Sequence, residues 1–267
     1  MFFINDAALA TAATAVAGPN NWRRTTAGYL CPMNYPARKS QRALPSRLSL
    51  FSSTIRWVSL ALGVLGVVSL IASGVNAVRT GFPDYPQLDT TAEKLVTQYS
   101  YFTVLSAIVM TACLFFFAVG GAASTSVGAR ILRLEATMMV VITGLVYNFV
   151  LADGTPKHGL SYFTNLVHHQ LFPVLMPLLW LGTVPLRRSR DVRTTTVVGV
   201  MMFPLLWVVY TFIRGAHTGF YPYFFMDAGD LGLAQAMLNT AAVFGVFFVL
   251  VGLLGAMEAL INKGKWI

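Results

Sequence analysis

Long apolar stretches broken by short polar connections occupy most of the chain after residue 55. The hydrocarbon core of a bilayer takes roughly 20 apolar residues per helix. Six stretches reach or approach that length: Trp57 to Val78, Tyr99 to Ala122, Ala136 to Ala152, Leu160 to Leu186, Thr194 to Ile213 and Leu231 to Met257. The third is short unless Ile131 to Glu135 joins it. Period-two alternation is weak, and the runs are too long for strands, so the pattern predicts helices and not a barrel. The expected fold is all-α: a bundle of six transmembrane helices over residues 56–262, with tails at 1–55 and 263–267.

Composition removes the main alternative. Of 267 residues, 56% are hydrophobic and only 11% charged, with mean hydropathy +0.65. A soluble domain of this size has too little interior to hide so much apolar side chain. Two cysteines, Cys31 and Cys113, exclude a disulfide scaffold and a cysteine-rich zinc site. The net charge of +9 would suggest nucleic acid in a soluble protein, but here the arginines flank apolar runs. Counted by segment, the amino-terminal tail, the 2–3 and 4–5 connections and the carboxyl tail hold 15 Lys/Arg, against 4 in the other three connections. The positive-inside rule then places both termini in the cytoplasm.

Residues 1–55 differ from the rest. An Ala/Thr-rich start ends at Gly18 and Pro19, arginines, serines and scattered prolines follow, and no acidic residue occurs between Asp6 and Asp84. This reads as a disordered basic tail drawn to anionic lipid. Two other readings fit the same composition: a true start at Met33, and an organellar transit peptide.

No G-x-S-x-G, H-E-x-x-H, G-x-G-x-x-G or P-loop occurs, so polar residues inside the spans must carry any chemistry. They are Thr103 and Ser106 in the second span, Thr143, Tyr147 and Asn148 in the third, and Thr164, Asn165, His168, His169 and Gln170 in the fourth. Arg214, His217 and the loop Thr218 to Tyr223 follow the fifth, and Asn239 lies in the sixth. At about 1.5 Å per residue, Thr103, Asn148 and His168 all fall in the outer half of the bilayer. Pro173 has no amide hydrogen, so the His169 carbonyl loses its helical partner. Each residue also has a plainer role open to it. A threonine can bond its own i−4 carbonyl, a neutral histidine can bridge helices, Arg214 can snorkel, and the aromatic loop can be an interfacial belt.

Phe102-Thr103 opening one helix, His168 five residues before Pro173, and Thr218-Gly219-Phe220-Tyr221-Pro222-Tyr223-Phe224 after another helix occur in that order. In this the chain resembles the androgen-induced and androgen-dependent family of multi-pass membrane proteins, in particular its bacterial six-helix branch. The likeness covers about residues 55 to 260. Animal members are hydrolases of fatty acid esters of hydroxy fatty acids that use a membrane-embedded threonine and histidine. The resemblance implies Thr103 as nucleophile and His168 as base, with a bacterial plasma membrane as location. Tyr147, Asn148, Arg214, His217 and Tyr221 are the supporting candidates around them. No metal, cofactor or nucleic acid is expected; the expected partner is membrane lipid, including a fatty acid ester substrate.

In the implied chemistry, neutral His168 takes the Thr103 hydroxyl proton as the oxygen attacks an ester carbonyl. Three other classes compete. A non-catalytic regulatory or scaffold protein needs no reactive pair. A small-solute transporter needs a polar path through the inner halves of the helices, which are almost purely apolar. A haem-binding protein needs paired histidines, for which only His168 or His169 with His217 could serve.

Overall fold

The computed structural model describes residues 22–24, 30–32 and 46–262. Contacts divide the chain into two units, residues 1–45 and 46–267. In the first, β1 (Trp22–Arg24) and β2 (Leu30–Pro32) pair antiparallel, with Arg23 opposite Cys31. The rest of the expected disordered tail lies outside the described residues, as does the short tail at 263–267.

The second unit is helical. Its principal helices are α1 (Ser46–Thr80), α2 (Thr91–Ser100), α3 (Phe102–Ala118), α4 (Val127–Val146), α5 (Gly159–Leu166), α6 (Phe172–Thr183), α7 (Thr194–Thr218), α8 (Ala228–Leu231) and α9 (Leu233–Ile261). Among the described residues, five helical stretches are long and apolar enough to cross a membrane: Ser49–Thr80, Val127–Leu151, Gly159–Leu186, Thr194–Thr218 and Leu233–Ile261. A sixth exists if α2 and α3, bent by 75° at their junction, count as one span. Large apolar side chains such as Leu206, Val249 and Leu253 remain exposed on the outer helix faces. Those faces suit lipid and not water, as an integral membrane protein requires.

Helix α1 begins eleven residues before the expected first span, because no Gly or Pro interrupts residues 46–62. The second span was expected as one unbroken helix and is instead divided at Tyr101, whose backbone is extended. Helix α2 starts at a reciprocal capping box between Thr90 and Glu93. Where it stops, its orphaned backbone groups find other partners: Trp207 Nε1 donates to the Ser100 carbonyl at 2.9 Å, and the Thr103 amide donates to Tyr223 Oη at 3.2 Å. A break inside apolar surroundings is tolerated because those groups are satisfied by protein.

Two wide turns lie side by side on neighbouring helices. Residues Tyr147–Leu151 end α4 as a π turn, and Val167–Leu171 join α5 to α6 as another. The second follows from Pro173, which cannot donate to His169. Asn148 Nδ2 donates instead to the His169 carbonyl, at 3.2 Å. Close approach of the two helices depends on Gly144: a Cβ there would stand 2.5 Å from Pro173 Cβ.

The opposite end of the bundle is fixed by buried charge. Asp191 receives Arg133 Nε at 2.8 Å and Nη2 at 2.5 Å, Trp180 Nε1 at 3.0 Å, and Arg187. Glu258 on α9 accepts the amides of Asp191 and Val192 and lies 3.3 Å from Arg187. The side chains of Arg133, Arg187 and Asp191 are wholly buried. So two arginines that mark topology by their position are structural ions, tying α4, α9 and the α6–α7 connection together.

Candidate functional site

Thr103 is the second residue of α3, just beyond the 75° bend. Its hydroxyl points away from α3 itself, since Oγ1 lies 3.4 Å from His169 Nε2 and 3.3 Å from Tyr223 Oη. On the far edge of the imidazole, Nδ1 meets Asn165 Oδ1 at 2.9 Å. One face of the ring stacks on Tyr147, with centroids 3.8 Å apart and planes 16° from parallel. The side-chain oxygen of Asn165 can only accept, so this contact selects the tautomer with its proton on Nδ1 and the Nε2 lone pair facing Thr103. The order is hydroxyl, imidazole, amide oxygen, an order of groups that acyl-transfer sites also use.

The structure brings Thr103 to His169 and not to His168, the expected partner. His168 points elsewhere: its Nε2 meets Ser69 Oγ on α1 at 3.0 Å, and it is 4% exposed. Ser69 Oγ donates to the Gly66 carbonyl, which leaves it to accept from His168. Adjacent residues on a helix point about 100° apart, so only one of the two histidines can face Thr103. Ser69, a small polar residue within an apolar run, claims the other. His168 has the helix-bridging role that a buried histidine often takes.

The remaining expected residues divide into two groups. Tyr147 and Asn148 belong to the site, the first by its ring under His169 and the second by holding the His169 carbonyl. Asn148 Oδ1 also accepts from Gln170. Arg214, His217 and Tyr221 do not reach Thr103. Arg214 donates to Thr97 Oγ1 at 2.7 Å and lies over the Phe220 ring. Tyr221 packs on Gly215 and Phe212, and His217 is exposed. Tyr223, two residues after Tyr221, is the loop residue that reaches the threonine.

The surroundings of Thr103 are otherwise apolar. A narrow cleft of about 60 Å³ runs beside it between α4, α7 and α9. Thr103 and Tyr223 both line it. The other two hydroxyls on its wall are already engaged: Thr143 with Ser106 at 3.1 Å and Thr240 with the Ala236 carbonyl at 2.8 Å. That leaves the hydroxyls of Thr103 and Tyr223, which lie 3.3 Å apart, facing this cleft with the His169 imidazole beside the threonine. The amide groups of the first turn of α3 add the positive end of a helix dipole at the same point.

Comparison with protein-family models, with curated proteins and with solved structures finds no match to this chain.

Proposed function

We propose that this integral membrane protein is a lipid ester hydrolase in which Thr103 is the nucleophile and His169 the base. The observation that carries the reading is the chain Thr103–His169–Asn165 placed at the edge of an apolar cleft. The sequence resemblance, whose animal members hydrolyse fatty acid esters with a threonine and a histidine, supports the same chemistry with the base moved by one residue.

In the reaction, His169 Nε2 takes the Thr103 proton while Oγ1 forms a bond to the ester carbonyl carbon. Asn165 keeps the protonated ring oriented through Nδ1. Negative charge on the carbonyl oxygen is met by the Tyr223 hydroxyl, which the Thr103 amide holds in place, beside the positive end of the α3 dipole. Loss of one such donor typically lowers turnover by about 10² to 10³. The tetrahedral adduct collapses, the bond to the alcohol oxygen breaks, and His169 returns the proton to that oxygen. Water, deprotonated by His169, then attacks the threonine ester, the acyl–Oγ1 bond breaks, His169 returns the proton to Oγ1, and the fatty acid leaves. The observed 3.4 Å contact is longer than a productive one, as is common without substrate.

The membrane arrangement that goes with this function has six spans, both termini cytoplasmic and Thr103 in the outer half of a plasma membrane. The basic-residue distribution supports it. A lipid then enters sideways from the outer leaflet with its carbonyl near the interface. Purified protein in detergent should hydrolyse a 4-nitrophenyl fatty ester, and Thr103→Ala should lose at least about a hundredfold of that activity. Equal activity in the variant would remove the nucleophile from the account.

A further inference from the structure

Resting on the hydrolase reading, the geometry points to a chain-length limit: Met139 and Phe247 form a floor that restricts the cleft to medium-length acyl chains. Thr103 and Tyr223 both line the cleft. Toward the buried ion cluster its wall becomes wholly apolar and ends in Met139 on α4, Pro204 on α7 and Phe247 on α9. Met139 is 1% exposed and Phe247 2%, so neither side chain is loose.

Helix rise gives the depth of that floor. Along α3 and α4, Ser106 is three residues inward of Thr103, Ser106 touches Thr143, and Met139 is four residues further inward. That makes about 10 Å at 1.5 Å per residue. Along α9, Thr240 and Phe247 on the same wall are seven residues apart, a length of about 10 Å. With carbon–carbon bonds of about 1.5 Å at near-tetrahedral angles, an extended chain advances roughly 1.25 Å per carbon. About eight carbons therefore fit between an ester carbonyl at Thr103 and the floor. The occupant is a single unbranched acyl chain, because no free polar group beyond Thr103 and Tyr223 lines the wall to match a second headgroup or a sugar.

The test uses 4-nitrophenyl esters from C4 to C16 with purified full-length protein in detergent. For wild type, kcat/KM should rise about threefold to fourfold per added methylene up to C8–C10 and then stop rising or fall. Phe247→Ala should move the break two to four carbons longer, Met139→Phe should move it shorter, and Phe248→Ala, on an exposed face, should leave it in place. A second arm reads the cleft without chemistry: displacement of a fluorescent fatty acid from the Thr103→Ala protein by carboxylates from C6 to C16. Phe247→Leu serves if the alanine variant does not fold. A length break in displacement that moves with Phe247, without hydrolysis of any ester, sinks the hydrolase reading and leaves the floor standing. Hydrolysis that climbs smoothly to C16, or a break indifferent to both Phe247 and Met139, overturns the floor and leaves the hydrolase reading intact.

Discussion

Replacing Asp191 by alanine should be the most damaging single change away from the site. Its two carboxylate oxygens hold Arg133 by two hydrogen bonds, Arg187, and the Trp180 indole, all in wholly buried surroundings. After truncation, Glu258 is the one acidic group left near the two guanidinium ions. It is already occupied by the amides of residues 191 and 192. Breaking a buried ion pair from one side costs about 3–5 kcal/mol, because the orphaned charge stays desolvated. For a domain of about 200 residues, each kcal/mol lowers the melting temperature by roughly 2–4 °C, so the expected drop is about 6–20 °C. Thermal unfolding of the detergent-purified protein, followed by tryptophan fluorescence, measures it. Arg133→Met combined with Asp191→Leu should recover much of the loss, since removing both partners leaves less uncompensated charge. A drop under about 2 °C for Asp191→Ala would show that the cluster is hydrated and is not a structural anchor.

Other expectations concern the site and its supports. Asn165→Leu should lower kcat roughly 10- to 100-fold, with a smaller change in KM, because the imidazole loses the group that fixes its proton; unchanged kcat would exclude Asn165 as the positioning residue. Gly144→Ala should destabilise the protein by about 1–3 kcal/mol, since its Cβ cannot share space with Pro173; an unchanged melting temperature would mean that α4 and α6 are not held in contact there. Ser69→Ala should cost about 1–3 kcal/mol by leaving His168 buried without a partner, while sparing catalysis; lost activity at normal stability would give His168 a chemical role. Reporter fusions after Leu186 and after Ile213 should read cytoplasmic and external sides respectively, and the same side for both would refute the six-span topology.

Much of the bundle is legible in the apolar runs, since helices of this length and hydropathy have few alternatives in a bilayer. The freed His169 carbonyl follows from Pro173 alone, although only the structure reveals that Asn148 takes it up. The break at Tyr101 carries no Gly or Pro, and depends on Trp207 and Tyr223, more than a hundred residues away. Choosing between His168 and His169 needs the rotation of the helix, which its spacing from Pro173 leaves open. A polar partner in the apolar run of α1, Ser69, is the signal that assigns His168 elsewhere. Asp191 was also readable in principle: a lone acid among four arginines between residues 187 and 193 asks for a buried pairing. Counting those arginines only by segment hides it.

Covalent labelling of the purified protein with a fluorophosphonate, followed by peptide mass spectrometry, tests the central claim most directly. The account expects the adduct on Thr103, no labelling of Thr103→Ala, a loss of at least about a hundredfold in labelling rate for His169→Ala, and a far smaller loss for His168→Ala at matched expression. An adduct elsewhere, or equal losses from the two histidine variants, would contradict it.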